Sequence, residues 1–211
     1  MFTGIVTAQA VLREKKRKGI QRRLIFELLG KRYRFRLGES LAMDGVCVTV
    51  SAFRGNKFSV DLIPETLHST TLDKISVGQR VNVEHPLRVG DPLGGHWVTG
   101  HVEGVGFIRR IEQQGESRCL HIEAPADIIR LLIKKGSIAV DGVSFTVQER
   151  ANRSFVIGVT PHTYRVAGLG RKRVGDSVNL ESDIFAKWAR HFASNGDTSL
   201  LTERALRSEG F

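Results

Sequence analysis

Residues 38–50 read GESLAMDGVCVTV and residues 135–147 read KGSIAVDGVSFTV, which lays Asp44 over Asp141, Cys47 over Ser144 and Thr49 over Thr146 at an offset of 97. The same offset carries IPET (63–66) onto TPHT (160–163) and GQRVNVE (78–84) onto GDSVNLE (175–181). Near the start, FTGIV (2–6) falls on VTGHV (98–102) at 96, so one copy gained or lost a residue early. Several blocks in one order at essentially one offset mark an internal duplication.

Each copy reads as β structure. SLAMDGVCVTV, NKFSVDLIP, RVNVE, SIAVDGVSFTV, RSFVIGV and SVNLE are short, rich in Val, Ile, Phe and Thr, and bounded by Gly, Asp or Asn. Short strands separated by regular turn signals predict sandwiches or small barrels. Pro64 and Pro161 end their strands, because proline cannot donate to a central ladder. The strip LRVGDPLGGHW (87–97) joins the copies. From Asp183 the chain reads DIFAKWARHFASNGD, which places Ile184, Phe185, Trp188 and Phe192 on one helical face. Ser182 or Asp183 would cap this helix and Gly196 would stop it. A second helical piece over 198–207 gathers Leu200, Leu201 and Leu206. The pattern fits packing on the barrels and contact with another subunit equally well.

With 211 residues, 41% hydrophobic and 26% charged, the chain has the balance of a globular protein with room for two small domains. No apolar run approaches the roughly 20 residues that cross a bilayer, so no membrane association is expected. MFTGIV has no basic stretch followed by an apolar one, so no secretory signal is expected. Two cysteines, Cys47 and Cys119, cannot staple a scaffold and suit a reducing, cytoplasmic setting. The net charge of +10 gathers between Arg13 and Arg36 and at Arg171, Lys172 and Arg173. KKRKG and GRKR read as solvated hairpin tips or as a phosphate-binding face. They lack the interleaved aromatics of single-strand binders, so no nucleic acid is expected.

Three polar positions recur in both copies: Cys47 with Ser144, Thr49 with Thr146, and Thr66 with Thr163. Residues two apart share a strand face, so Cys47 points with Thr49 and Ser144 with Thr146. On an inward face they could hydrogen-bond a flat heterocycle; the plainer reading is strand threonines and a small buried thiol. His96 and His101, five apart, read as opposite faces of a strand, and no zinc pattern is present. No phosphate loop, nucleophile elbow or dinucleotide fingerprint occurs. His101 replaces Ile5, and Lys135 stands where the first copy has Gly38, so the copies differ in chemistry. Histidine is the usual proton carrier near neutral pH.

MFTGIV, G-x-S-x-A-x-D-G-V-C-x-T-V, DLIPET, GGHWVTGHV, KGSIAVDGVS-x-TV, PHT and VNLE-x-D before a tail helix resemble riboflavin synthase over about 1–190. The resemblance implies an all-β fold of two similar six-stranded antiparallel Greek-key barrels plus a C-terminal α-helix. Residues 1–96 and 97–183 would be the lumazine-binding barrels and 184–211 a trimerisation tail. The activity implied is dismutation of two 6,7-dimethyl-8-ribityllumazine molecules per site to riboflavin and 5-amino-6-(D-ribitylamino)uracil, with no metal or organic cofactor. The site would lie between barrels of neighbouring subunits in a homotrimer. Association with lumazine synthase is a further, open expectation.

Carried over by position, the first pocket comprises Gly4, Ile5, Val6, Cys47, Val48, Thr49, Asp61, Leu62, Ile63, Pro64, Glu65 and Thr66. The second comprises Gly100, His101, Val102, Lys135, Ser144, Phe145, Thr146, Gly158, Val159, Thr160, Pro161, His162 and Thr163. The catalytic set implied is Phe2, Ser40, Cys47, His101, Ser144, Thr146 and Asp183. His101 with Ser144 and Thr146 would move protons, Cys47 or a water would add, and Asp183 would support or simply cap the helix. Three departures from the family pattern stand out: Ala167-Gly168 opposite Thr70-Thr71, Glu103 for aspartate, and Thr160 for isoleucine. The alternatives are a lumazine-binding antenna protein that does not turn its ligand over, and a basic nucleic-acid-binding barrel resting on charge alone.

Overall fold

A computed structural model describes residues 1–30 and 33–194. The first copy forms β1 (Ala8–Lys18), β2 (Gln21–Leu28), β3 (Ser40–Met43), β4 (Val46–Arg54), β5 (Lys57–Leu62) and β6 (Arg80–Glu84). The second forms β7 (Gly104–Gln114), β8 (Ser117–Glu123), β9 (Ser137–Val140), β10 (Val143–Arg150), β11 (Ser154–Val159) and β12 (Ser177–Ser182). Each set closes into an antiparallel barrel. The first runs β1-β2-β5-β4-β3-β6, and the second follows the same cyclic order with its own strands.

Period-two patterning explains the two interiors. Along β2, Leu24, Phe26 and Leu28 point inward; along β10, Val143, Phe145 and Val147 do. Phe26 stacks on Phe58 with ring centroids 5.8 Å apart inside the first barrel. Each such side chain contributes about 1.5–3 kcal/mol on burial. Asp44-Gly45 and Asp141-Gly142 turn the β3–β4 and β9–β10 hairpins, with φ of 43°, 81°, 45° and 76°. Positive φ at both positions is the type I′ requirement that Asp-Gly satisfies.

The two hairpin turns meet back to back. A Cβ on Gly45 would lie 2.8 Å from Gly142 N, and one on Gly142 would lie 2.6 Å from Gly45 N. Asn82 Nδ2 donates to Asp141 O (2.9 Å), and its counterpart Asn179 Nδ2 donates to Asp44 O (2.8 Å). Reciprocal contacts of this kind relate the barrels by an approximate two-fold axis.

Several expectations change. Pro64 and Pro161 follow their strands as predicted, but each also opens a short helix, α1 (Pro64–Ser69) and α3 (Pro161–Val166), because proline suits the first helical position. A further turn, α2 (Ala126–Ile129), sends Ile128 and Ile129 into the second core. The stretch around His96 and His101 is not a strand: it is irregular apart from an isolated bridge between Phe2 and Val98. The tail helix α4 (Ile184–Ser194) is present, capped by Asp183 Oδ1 accepting from Phe185 N at 2.9 Å. Its Phe185, Trp188 and Phe192 are 65%, 61% and 60% exposed. The predicted stop at Gly196 and the helical piece over 198–207 lie outside the described residues. No helix among the described residues is long and apolar enough to cross a membrane.

Candidate active site

The leading segment of each copy is fastened to its own barrel by a buried glutamate. Glu84 Oε1 accepts from Thr3 N (2.6 Å) and Thr3 Oγ1 (2.7 Å), and its Oε2 accepts from Gly4 N (3.0 Å). Burial pushes the Glu84 carboxyl above the usual range, and these donors work against that push. Glu181 repeats the arrangement with Thr99 N (2.7 Å), Thr99 Oγ1 (2.6 Å) and Gly100 N (3.0 Å).

Beyond this anchor the segments cross over. Ser144 N of the second barrel donates to Gly4 O at 2.8 Å, and Cys47 N of the first donates to Gly100 O at 2.8 Å. Val6 packs on the second core and Val102 on the first. The two glycines have φ of 76° and 82°, and a Cβ would meet Ser144 Cβ at 2.7 Å or Cys47 Cβ at 2.5 Å. Sequence order grouped Gly4–Val6 with Cys47 and Gly100–Val102 with Ser144. Within the chain the pairing is crosswise instead: Gly4, Ile5 and Val6 neighbour Ser144, and Gly100, His101 and Val102 neighbour Cys47.

The matched polar residues also face outward rather than inward. Val46, Val48 and Val50 fill the first interior, leaving half-buried Cys47 and exposed Thr49 on the outer surface. Ser144 and Thr146 take the same places on β10. The barrels are too tightly filled for a heterocycle, so a ligand here would lie against the outside. Ser40 pairs with Thr49 across β3–β4, and Ser137 pairs with Thr146 across β9–β10. Ser137 is absent from the predicted set, although the offset of 97 places it over Ser40.

Other predicted residues contribute differently. Val48, Leu62, Phe145 and Val159 are buried and offer backbone rather than side chains. Asp61 is held bidentately by Arg23, with both distances 2.7 Å. Ile63, Pro64 and Glu65 are exposed around the start of α1, with Thr66 half-buried behind them. In the second copy Gly158 lies half-buried on β11, and Thr160 Oγ1 caps α3 by accepting from Thr163 N (3.3 Å). Pro161 and His162 complete that turn, His162 exposed. Lys135 is exposed with φ of 69°, left-handed like Gly38 at 82°. A non-glycine there costs about 1–2 kcal/mol.

The catalytic group predicted from sequence is only partly assembled within one chain. His101 is exposed on the segment bound to Cys47. Ser144 instead meets His96: Nδ1 lies 2.7 Å from Ser144 Oγ, and the ring is 7% exposed. Burial lowers the His96 pKa, with partial opposition from Asp183 and Glu181, so the ring is neutral at neutral pH. Its Nε2 is buried without a protein partner. A neutral imidazole on a hydroxyl can take the hydroxyl proton. From sequence, His96 has only a place on a strand face opposite His101, and its nearest local signal is the glycine pair preceding it. Phe2 is fully buried with Ala42, Val98 and Ala139, against which Cys47 packs, so its side chain serves to seat the leading segment. Among the described residues no cluster of His, Cys, Asp and Glu could hold a metal ion.

The lumazine binding domain family model matches residues 3–86 and 99–183, once per copy. Riboflavin synthase of Bacillus amyloliquefaciens is 34% identical over 215 aligned residues, covering 100% of both chains. Riboflavin synthase of Bacillus subtilis (strain 168) is 33% identical with the same coverage. The chain belongs to the riboflavin synthase family. It is therefore an enzyme of the transferase class, as its full-length relatives are. Its fold is also that of LumP complexed with 6,7-dimethyl-8-(1'-D-ribityl) lumazine, with a TM-score of 0.76, 23% identity, and coverage of 86% of this chain and 99% of that one.

Proposed function

We propose that the chain converts two 6,7-dimethyl-8-ribityllumazine molecules into riboflavin and 5-amino-6-(D-ribitylamino)uracil by four-carbon transfer, the last step of riboflavin biosynthesis, in the cytoplasm. Two outward polar faces, matched but chemically unequal, carry this reading. One presents Cys47, Thr49 and Ser40 beside His101, and the other presents Ser144, Thr146 and Ser137 beside His96. The first copy's Ile5 and the second copy's His101 are exchanged between barrels, so each face is completed by the other copy.

The reaction needs two like molecules stacked in one orientation, and pre-paid proximity is worth about 7–11 kcal/mol in favourable cases. Ser144, handing its own hydroxyl proton to the neutral His96 ring, would take a proton from the C7-methyl of one lumazine, while Cys47 or a water adds to the other. The aromatic face of α4 would be the contact of a homotrimer, in which the Cys47–His101 face of one subunit meets the Ser144–His96 face of its neighbour. That arrangement would bring His101 back to a Ser144, as the family pattern implies. Residues 1–96 and 97–183 would then act as the two lumazine units, each lending its leading segment to the other, and 184–211 as the trimer contact.

Incubation with 6,7-dimethyl-8-ribityllumazine should form riboflavin, seen by absorbance, with one uracil product per riboflavin. The likeness to LumP supports one other reading, a lumazine-binding protein without turnover. Stoichiometric lumazine binding with no riboflavin formed would establish that reading and overturn the first.

A further inference from the structure

On the two-fold axis, a cleft of about 380 Å³ opens between the barrels and contains none of the residues assigned to the lumazine faces. Buried Asn82 and Asp141 and half-buried Lys172 line its inner part, and Lys74, Arg80 and Arg171 stand exposed around it. Lys74 of the first copy and Arg171 of the second are matched positions 97 apart, so both repeats send a cation to the axis. Arg80 and Lys172 have no such match, standing opposite Ser177 and Ile75.

The charges in the cleft are not balanced. Lys172 Nζ is paired with Asp141 Oδ2 at 2.9 Å, and Asp176 Oδ2 accepts from Arg173 N at 2.8 Å. Burial and the Asp141 carboxylate push the half-buried Asp44 carboxyl up to about 8, which leaves it mostly protonated at neutral pH. Among the described residues Lys74, Arg80 and Arg171 make no ion pair. Burial first, and then the nearby Arg80, hold the Arg171 guanidinium below its ordinary value, with Asp44 opposing them.

A second feature points to a ligand. Asn82 is 3% exposed, and its Nδ2 donates to Asp141 O, which fixes Oδ1 as an acceptor. That Oδ1 has no protein partner. Its counterpart Asn179 Oδ1 accepts from Thr71 N at 2.8 Å. In the other copy Gly168 replaces Thr71, at φ of 53°, and the equivalent bond is missing. A Cβ on Gly168 would lie 2.9 Å from Asn82 Oδ1 and 3.1 Å from Arg171 Nη2, so acceptor and guanidinium converge on one point.

We propose that this cleft binds a phosphate group, with Lys74, Arg80 and Arg171 holding the oxyanion and Asn82 Oδ1 accepting from its protonated oxygen or from a hydroxyl of the attached ester. Arginine forks suit such oxyanions. A fixed, desolvated acceptor favours an anion that still carries a proton and repels one that does not, so the site selects phosphate over sulfate.

Isothermal titration of the intact protein at neutral pH and constant ionic strength tests this with inorganic phosphate, glycerol 3-phosphate and sulfate. One saturable phosphate site per chain is expected, with sulfate at least tenfold weaker. Arg80→Ser, which copies the second repeat, and Lys74→Gln should each weaken phosphate about tenfold while leaving lumazine turnover and thermal midpoint unchanged. Both side chains are exposed, so the variants keep the core intact. Tighter binding of glycerol 3-phosphate than of phosphate assigns an organic ester, and the reverse assigns the free ion. Equal affinity for sulfate, unaltered affinity in Arg80→Ser, or no binding at tens of millimolar would each overturn the proposal.

Discussion

His96 Nδ1 lies 2.7 Å from Ser144 Oγ and ties the spacer between the copies to β10 of the second barrel. Because burial lowers the His96 pKa, the imidazole stays unprotonated below the ordinary histidine value of about 6.5. The hydroxyl therefore has a base beside it throughout the neutral range.

His96→Ala should lower kcat by about 10²–10⁴, the usual worth of a positioned base, with a much smaller change in lumazine affinity. In the parent protein kcat/KM should fall on the acid side only below the ordinary histidine value. His101→Ala should also slow turnover more than binding. If His96→Ala keeps its rate while His101→Ala loses it, the proton passes through His101 of a neighbouring subunit alone.

Lys135 holds a left-handed conformation that Gly38 adopts freely in the other copy, φ of 69° against 82°. Lys135→Gly should raise stability by about 1 kcal/mol in urea denaturation, once the strain is set against the greater freedom of glycine when unfolded. The same change should weaken lumazine binding. Unchanged binding would make Lys135 a residue without a ligand role.

Burial and the neighbouring Asp141 raise the Asp44 carboxyl to about 8 in the folded chain, against about 4 when unfolded. The raised value means that the fold is favoured with Asp44 protonated, so stability falls as pH rises between those limits. Asp44→Asn keeps an oxygen to accept from Asn82 N, now at 2.7 Å, and removes the titration. Its melting temperature should vary less with pH and exceed the parent's by several degrees above pH 8. Parallel profiles for the two proteins would locate the titration at another group.

Trp188 is 61% exposed on α4 beside Phe185 and Phe192. Trp188→Glu should convert a trimer to monomers in sedimentation and abolish turnover while leaving the barrels folded by circular dichroism. A parent protein that is already monomeric and active would remove the inter-subunit site.

Much of this was readable in the chain itself. The offset between Asp44 and Asp141, the alternation Leu24–Phe26–Leu28 and the Asp-Gly turns specify two similar β units of paired strands, because strand period and turn geometry are local properties. The outward direction of Cys47 and Ser144 was also available from the valines between them, although the polar pair invited the opposite reading. His96 was not legible, since the glycine pair before it is the one local feature that sets it apart from His101 and does not name a partner.

Sequence by itself determined the duplication, the β character of both copies and the family resemblance, while the pairing of first and last strands that closes each barrel is seen in the structure. Only the tertiary structure decided that Gly4 meets Ser144 and Gly100 meets Cys47, placed His96 on that serine, and left Asn82 Oδ1 without a partner. Those relationships depend on how two barrels, joined at Gly45 and Gly142, bring together residues far apart in the chain. A local pattern selects a strand or a turn, but it does not specify which distant backbone that strand will meet.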